Sequence, residues 1–204
     1  MANLKLSYFD VNGGRAEPIR LALHIGGIAF EDYRFPYSAF KEERKSTPLG
    51  QVPVLTIDNI QITQSNAILR YVGKQSGLYP TDLYQALLCD EVIDLAEDCT
   101  IKIVATFMLE GAVLKEARET LIEGALSKYL KFLETKLVAQ GGAFFADQQL
   151  TIADLKVMTI LNWLNASALD HIPHDLVANV APTLSAYHDK ICSHKAVVAY
   201  YDSL

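Results

Sequence analysis

Cysteine is scarce in this sequence: the three present, Cys89, Cys99 and Cys192, form no CxxC pair. So sparse and odd a set offers neither a disulfide framework nor a zinc pattern, and it fits a reducing compartment. Apolar runs are broken by charges well before the roughly 18 residues that a membrane span needs. The first ten residues, MANLKLSYFD, hold no long apolar core, so no secretory signal is expected. Positive charge is also in short supply. The formal net charge of −6 over 204 residues weighs against nucleic acid or an anionic membrane as partner, because both reward basic patches. Internal repeats and low-complexity tracts are missing too. These absences predict a cytoplasmic protein that binds neither nucleic acid nor membrane. Half of the residues are hydrophobic and 21% are charged, a soluble globular composition, and the length admits one large domain or two small ones.

What is present divides into two halves of different periodicity. Leu4, Leu6 and Tyr8 alternate with Lys5, Ser7 and Phe9, a strand period. Residues 16–26 then carry Ile19, Leu23 and Gly26 at helical spacing, and Gly26-Gly27 is a stop signal. FEDYRF reads as a second strand, and VPVLTIDNIQIT as two strands joined at Asp58-Asn59. SNAILRYVGKQSG is a helix with Ser65 as N-cap and Gly77 as stop. The order βαβ, hairpin, helix predicts a small sheet with helices on its faces over residues 1–77. After a linker at 78–83 the strand signals cease, and residues 84–204 read as all-helical. Long helices are expected over 84–110 and 115–138, the latter with Leu121, Leu126, Tyr129, Leu133 and Leu137 in its apolar set. Residues 151–168 are apolar almost all round, the pattern of a buried central helix. Thr151 and Asp154 form a capping box at its start, with Leu150 and Leu155 as the staple. Pro182 suits the first turn of a last helix.

The strand–glycine–helix corner DVNGGRAEP invites a phosphate reading and resists it. A dinucleotide corner needs GxGxxG, whereas here the glycines are adjacent, the third is missing, and Glu17 and Pro18 discourage an anion. Tyr8 remains, on the opposite strand face from Ser7, either packing against the second half or offering a hydroxyl to a crevice at the strand's C-terminal end. In QVP, Val52 precedes a proline that is either an ordinary strand entry or a cis bend; a cis bend would turn the backbone groups of Val52 outward, toward an extended peptide. At TQSNAI, Gln64 and Ser65 begin a helix whose free N–H groups suit a carboxylate.

Taken in order, LSYFDVNGGRAEPIRLAL, GQVPVL, QSNAILRYV and LTIAD resemble the cytosolic glutathione transferases of the tyrosine type, most of all the sigma class. The resemblance covers nearly the whole chain. It implies a thioredoxin-like N-terminal domain followed by an all-helical domain that contributes the electrophile site. It also implies a detoxifying transferase that conjugates glutathione, its co-substrate, to small hydrophobic electrophiles, with no metal. Ser65 would hold the γ-glutamyl carboxylate with Gln64 beside it. Val52, before Pro53, would pair with the cysteinyl unit, and Tyr8 would meet the sulfur. At the glycyl end the matching positions are Phe40, which lacks the indole N–H of relatives, Arg44, which keeps the positive charge, and Gln51. The resemblance further implies a homodimer in which Asp98 reaches the partner's site, and an electrophile wall of Phe9, Val104 and Met108. Relatives on this fold include prostaglandin isomerases, peroxidases and non-catalytic lens crystallins, all of which remain alternatives.

Several of these residues also have plainer roles. Arg15 supports the thiolate or forms a salt bridge with Glu17 or Asp10. Asp94, Glu97 and Asp98 fall at i, i+3 and i+4, a pattern that serves equally as a solvated acidic face. Val104 and Met108 sit at helical spacing and suit a core as well as a pocket.

Overall fold

In the computed structural model, which describes residues 3–204, β1 (Leu4–Phe9) buries every second side chain. A glycine corner leads from it into α1 (Glu17–Ile25), with Pro18 in the first turn, where its missing N–H costs nothing. β2 (Glu31–Phe35) follows, then a connection containing the short α2 (Phe40–Glu43) between single 3₁₀ turns at Tyr37–Ala39 and Arg44–Ser46. β3 (Val54–Ile57) and β4 (Ile60–Ile62) form the expected hairpin, with Asp58 at φ 56° in its turn. α3 (Ser65–Ser76) completes the half and stops at Gly77, whose φ of 73° is the left-handed cap foreseen there.

The strand order is β2-β1-β3-β4, with β1 parallel to β2 and antiparallel to β3, and β3 antiparallel to β4. This order places the end of β1, the end of β2, the start of β3 and the start of α3 at one edge of the sheet. The fold is the thioredoxin-like one that the sequence led us to expect.

The helical half begins with α4 (Leu83–Val104), capped by the Asp82 carboxylate on the N–H groups of Tyr84 and Gln85 at 3.0 and 2.9 Å. The helix expected to run to residue 110 ends at Val104. Turns carry the chain to Gly111, whose φ of 54° redirects it into α5 (Gly111–Leu121). The expected helix over 115–138 therefore starts earlier, and it is one rod with a π segment at Ile122–Leu126 joining α5 to α6 (Ser127–Ala139). The remaining helices are α7 (Ile152–Asn165), α8 (Leu176–Val180), α9 (Pro182–Cys192) and α10 (Lys195–Tyr201). α8 is a single turn, too short to register as periodicity. His194 starts α10 by accepting the Ala196 N–H at 3.3 Å.

α7 is the central helix, and ten consecutive residues from Ile152 to Leu161 are buried. Its capping box forms as expected. The Asp154 carboxylate accepts the backbone N–H and hydroxyl of Thr151 at 2.7 and 2.8 Å, the Phe145 N–H at 3.0 Å and the Tyr187 hydroxyl at 2.6 Å. The two halves meet at the start of this helix. The Ile152 N–H donates to Leu78 O at 2.9 Å, and a Cβ placed on Gly73 of α3 would stand 2.7 Å from the Ile152 side chain. α1 packs between α3 of its own half and α7 of the other.

Candidate active site

The pleat of β1 turns Ser7 to one face and buries Tyr8 on the other at 7% exposure. The phenol oxygen accepts the backbone N–H of Arg15 at 3.1 Å, which leaves its own O–H free to donate. Burial pushes the Tyr8 pKa above its usual value, against the weaker opposing pull of the Arg15 N–H and charge. Tyr8 is thus protonated at neutral pH, a hydrogen-bond donor and not a base. Of the glycine pair in the corner, Gly13 has open space where a Cβ would go, whereas Gly14 has φ +68° and a Cβ there would lie 2.6 Å from the Tyr8 hydroxyl. Glu17 fills the start of α1, 1% exposed and 3.3 Å from Arg20, so this corner holds a carboxylate of its own and no anion site.

Arg15 corrects one expectation. It pairs with neither Glu17 nor Asp10, because Glu17 is taken by Arg20 and Asp10 faces Arg34 at 3.8 Å. Arg15 Nε instead donates to Oε1 of Glu97 on α4 at 2.6 Å, and Oε2 of the same carboxylate accepts Nζ of Lys156 on α7 at 2.6 Å. Burial pushes the Glu97 carboxyl up, but Lys156 and Arg15 outweigh it and hold it below the ordinary glutamate range. Lys156 was not singled out from the sequence. The available signal was a lysine inside a mostly apolar helix, since buried lysines are almost always paired.

The acidic stripe is not one solvated face. Asp94, though exposed, accepts from Asn66 and Arg70 of α3 at 2.7 Å each, Glu97 is enclosed between its two cations, and Asp98 is outward-facing, accepting the Tyr129 hydroxyl at 3.1 Å.

At the same sheet edge, Phe9 meets Tyr8 edge-on at 5.1 Å, stacks on Tyr37 at 4.4 Å and meets Phe40 edge-on at 5.0 Å. Tyr37, also unforeseen, is 66% exposed at the rim of this cluster. Val104 is half-buried as the last residue of α4, whereas Met108 lies beyond the helix end and is 92% exposed. The two are therefore not neighbours on one helical face, and Met108 belongs to no core.

The Val52-Pro53 peptide is cis. The register that pairs Ser7 with Val54 carries Val52 on toward Phe9, and among the described residues the Val52 N–H and C=O enter no backbone hydrogen bond. Arg44 lies over the Phe40 ring at 5.4 Å, and a Cβ on Gly50 would come 3.3 Å from its guanidinium, so Phe40, Arg44 and the Gly50-Gln51 turn stand together. Ser65 is not the N-cap of α3. Gln64 takes that position with φ 72°, and Ser65, 9% exposed, is the first helical residue. The first backbone bond of α3 is Ile68 N–H to Gln64 O, so the amides of Ser65, Asn66 and Ala67 precede it without carbonyl partners in the helix. Topology thus gathers Tyr8, Phe9, Phe40, Arg44, Gln51, Val52, Pro53, Gln64 and Ser65 at one edge. Asp98 stands apart from them on α4.

Among the described residues, no cluster of three or more His, Cys, Asp or Glu side chains is arranged to hold a metal ion. Nor, among the described residues, is any helix long and apolar enough to cross a membrane.

Two family models match the chain: the glutathione S-transferase N-terminal domain over residues 4–74, and the glutathione S-transferase C-terminal domain over 97–204. The chain is 34% identical over 176 residues to glutathione S-transferase 3 of Caenorhabditis elegans, covering 83% of this chain and 84% of the relative. Among solved structures it resembles prostaglandin synthase D of Nilaparvata lugens, with 29% identity and a TM-score of 0.85 over 98% of this chain and 97% of that one. It also resembles the sigma-class glutathione transferase of Fasciola hepatica, with 26% identity and a TM-score of 0.84 over 99% and 96%.

Proposed function

The chain belongs to the glutathione S-transferase family, and on that premise we propose that it conjugates glutathione to small hydrophobic electrophiles, with Tyr8 stabilising the thiolate. The observation that carries this reading is the Tyr8 hydroxyl, protonated, anchored through one lone pair by the Arg15 amide and free to donate. A free thiol has a pKa of about 8.5, and lowering it by ~2 units requires roughly 2.7 kcal/mol of differential stabilisation. A hydrogen bond to a charged group supplies about 1.5–3 kcal/mol, so one phenol nearly suffices. The thiol proton leaves to solvent. The sulfur lone pair then forms the S–C bond as the electrophile's leaving group departs with its electrons, or as its π bond takes up a proton.

The rest of the site suits a tripeptide with a carboxylate at each end. The Ser65 hydroxyl and the first amides of α3, with Gln64, receive the γ-glutamyl carboxylate. The free N–H and C=O of Val52 pair with the cysteinyl unit. Arg44 and Gln51 take the glycyl carboxylate, and Phe40 contributes only its face there. The electrophile sits against Phe9 and Val104, with Met108 at the solvent side. The protein acts in the cytoplasm as a homodimer, in which the outward-facing Asp98 meets the partner's bound glutathione.

Replacing Tyr8 by Phe tests the reading. Turnover with a generic aromatic electrophile falls strongly and the pKa of bound glutathione rises. Full activity with an unchanged pH profile would sink it. A second reading, isomerisation of a prostaglandin endoperoxide on the same glutathione site, is favoured by the similarity to prostaglandin synthase D. A substrate panel that includes an endoperoxide and an organic hydroperoxide separates the two.

A further inference from the structure

Lys156 carries a charge into the interior of α7, with its side chain only 5% exposed. Among the described residues its one hydrogen-bond partner is Oε2 of Glu97. The other oxygen of that carboxylate is taken by Arg15. Three elements therefore meet on one carboxylate: the corner after β1 with Arg15, α4 with Glu97 and α7 with Lys156.

Charge counting gives this arrangement a meaning. Arg15 with Glu97 alone would be a closed pair, the guanidinium charge cancelled at 2.6 Å. A second cation on the same carboxylate leaves the network at net +1. Arg15 is the member of this network next to Tyr8: its backbone amide holds the Tyr8 hydroxyl, and its charge favours an anion there. Stability alone gives no reason to keep an ammonium here, because replacing a buried ion pair by packed apolar residues is often neutral or stabilising.

We propose that Lys156 is a positioning residue that shares Glu97 with Arg15 and so leaves the charge of Arg15 available to the anion formed at Tyr8. The proposal rests on the reading of Tyr8 as the hydroxyl that receives the glutathione sulfur.

The other ionisable groups around the network are already engaged. Asp94, one turn before Glu97 on α4, is bound by Asn66 and Arg70 of α3, and its side chain is 59% exposed to screening water. Arg70 is held in addition by Asp90. On α1, Glu17 and Arg20 face each other, and Arg20 also binds Asp32 of β2. On β1, Lys5 is paired with Glu31 of β2 at 3.0 Å, which leaves Tyr8. Burial pulls the Lys156 pKa down, and contact with Glu97 opposes that fall.

The test measures the pKa of the bound glutathione thiol, from thiolate absorbance and from the pH profile of kcat/KM, in the full-length protein and three variants. Lys156→Met makes the network neutral and should raise the thiol pKa by roughly half a unit or more, about a threefold loss of thiolate below the pKa. Lys156→Arg should restore the native profile. Glu97→Gln removes the negative charge and should move the thiol pKa in the opposite direction, downward. A structural role would damage both sites alike, so Lys156→Met and Glu97→Gln shifting together overturns the proposal, as does a folded Lys156→Met with a native profile. If Lys156→Met does not fold, Glu97→Gln decides alone, and a thiol pKa that fails to drop overturns it. Tyr8→Phe separates this proposal from its premise. An unchanged thiol pKa there removes the thiolate reading, whereas a raised one beside an unmoved Lys156→Met removes only the role of Lys156.

Discussion

Gly14 lies so close to Tyr8 that a methyl group on it would stand 2.6 Å from the phenol oxygen. The backbone at Gly14 also has φ +68°, a conformation that costs other residues about 1 kcal/mol. Gly14→Ala should therefore fold with a small loss of stability and displace the hydroxyl. A misplacement near 1 Å can reduce turnover by about 10²-fold. Glutathione affinity should change little, because Ser65, Val52 and Arg44 lie on other segments. Steady-state kinetics that show native kcat would contradict the assigned role of this corner.

Ser65→Ala should have the reverse signature. One hydrogen bond to a carboxylate is lost from the ground state and the transition state alike. KM for glutathione should rise about tenfold, equivalent to ~1.4 kcal/mol, with kcat nearly unchanged. Titration calorimetry with glutathione checks the binding half of this prediction directly.

Asp154→Ala should cost stability and leave chemistry alone. Removing this carboxylate strands two backbone N–H groups, the Thr151 hydroxyl and the buried Tyr187 hydroxyl at the start of the central helix. A loss of roughly 3–5 kcal/mol follows from broken capping and unsatisfied donors. Urea unfolding measures it, and specific activity per folded molecule should stay native.

The ion network predicts a pH dependence of known sign. The folded Glu97 carboxyl titrates below its ordinary value of 4.5, so the native state binds fewer protons than the unfolded chain across that interval. The stabilisation from this shift is complete above the unfolded pKa and is lost as pH falls through the lower folded one. The difference in unfolding free energy between the native protein and Glu97→Gln should be flat from neutral pH down to about 5.5 and shrink below that. A difference that grows on acidification would reverse the assignment.

Local signals carried most of the fold. Alternation over Leu4–Phe9, the Asp58-Asn59 turn, the Gly77 stop and the Thr151–Asp154 box each depend on a few neighbouring residues, and each stands where the sequence put it. The misplaced boundaries have local causes that periodicity overlooks. The chain turns after Val104 where the helical pattern still reads on, Gly111 opens α5 ahead of the expected start, and the π segment hides inside a pattern that does not break. At the candidate site, the strand ends and the α3 start were legible because each is marked by its immediate neighbours: the alternation that ends at Phe9, Pro53 just ahead of β3, and Gln64-Ser65 at the head of the α3 periodicity. The partner of Arg15 was not, since Glu97 is 82 positions away and nearer carboxylates at 10 and 17 offered themselves first. Their own cations, Arg34 and Arg20, remove them from competition only once the chain has folded.

The meeting of Ile152 with Leu78 and Gly73 bears on how the molecule comes apart. The first amide of the central helix is satisfied by a carbonyl just beyond the sheet-bearing half, and the adjoining side chain fills the space left by a glycine of that half. Neither half can loosen without uncovering the other. The protein should melt in a single cooperative transition despite its two-part architecture. A protease nick in the 77–82 connection would leave two fragments that stay associated, and neither fragment expressed alone should hold its native structure.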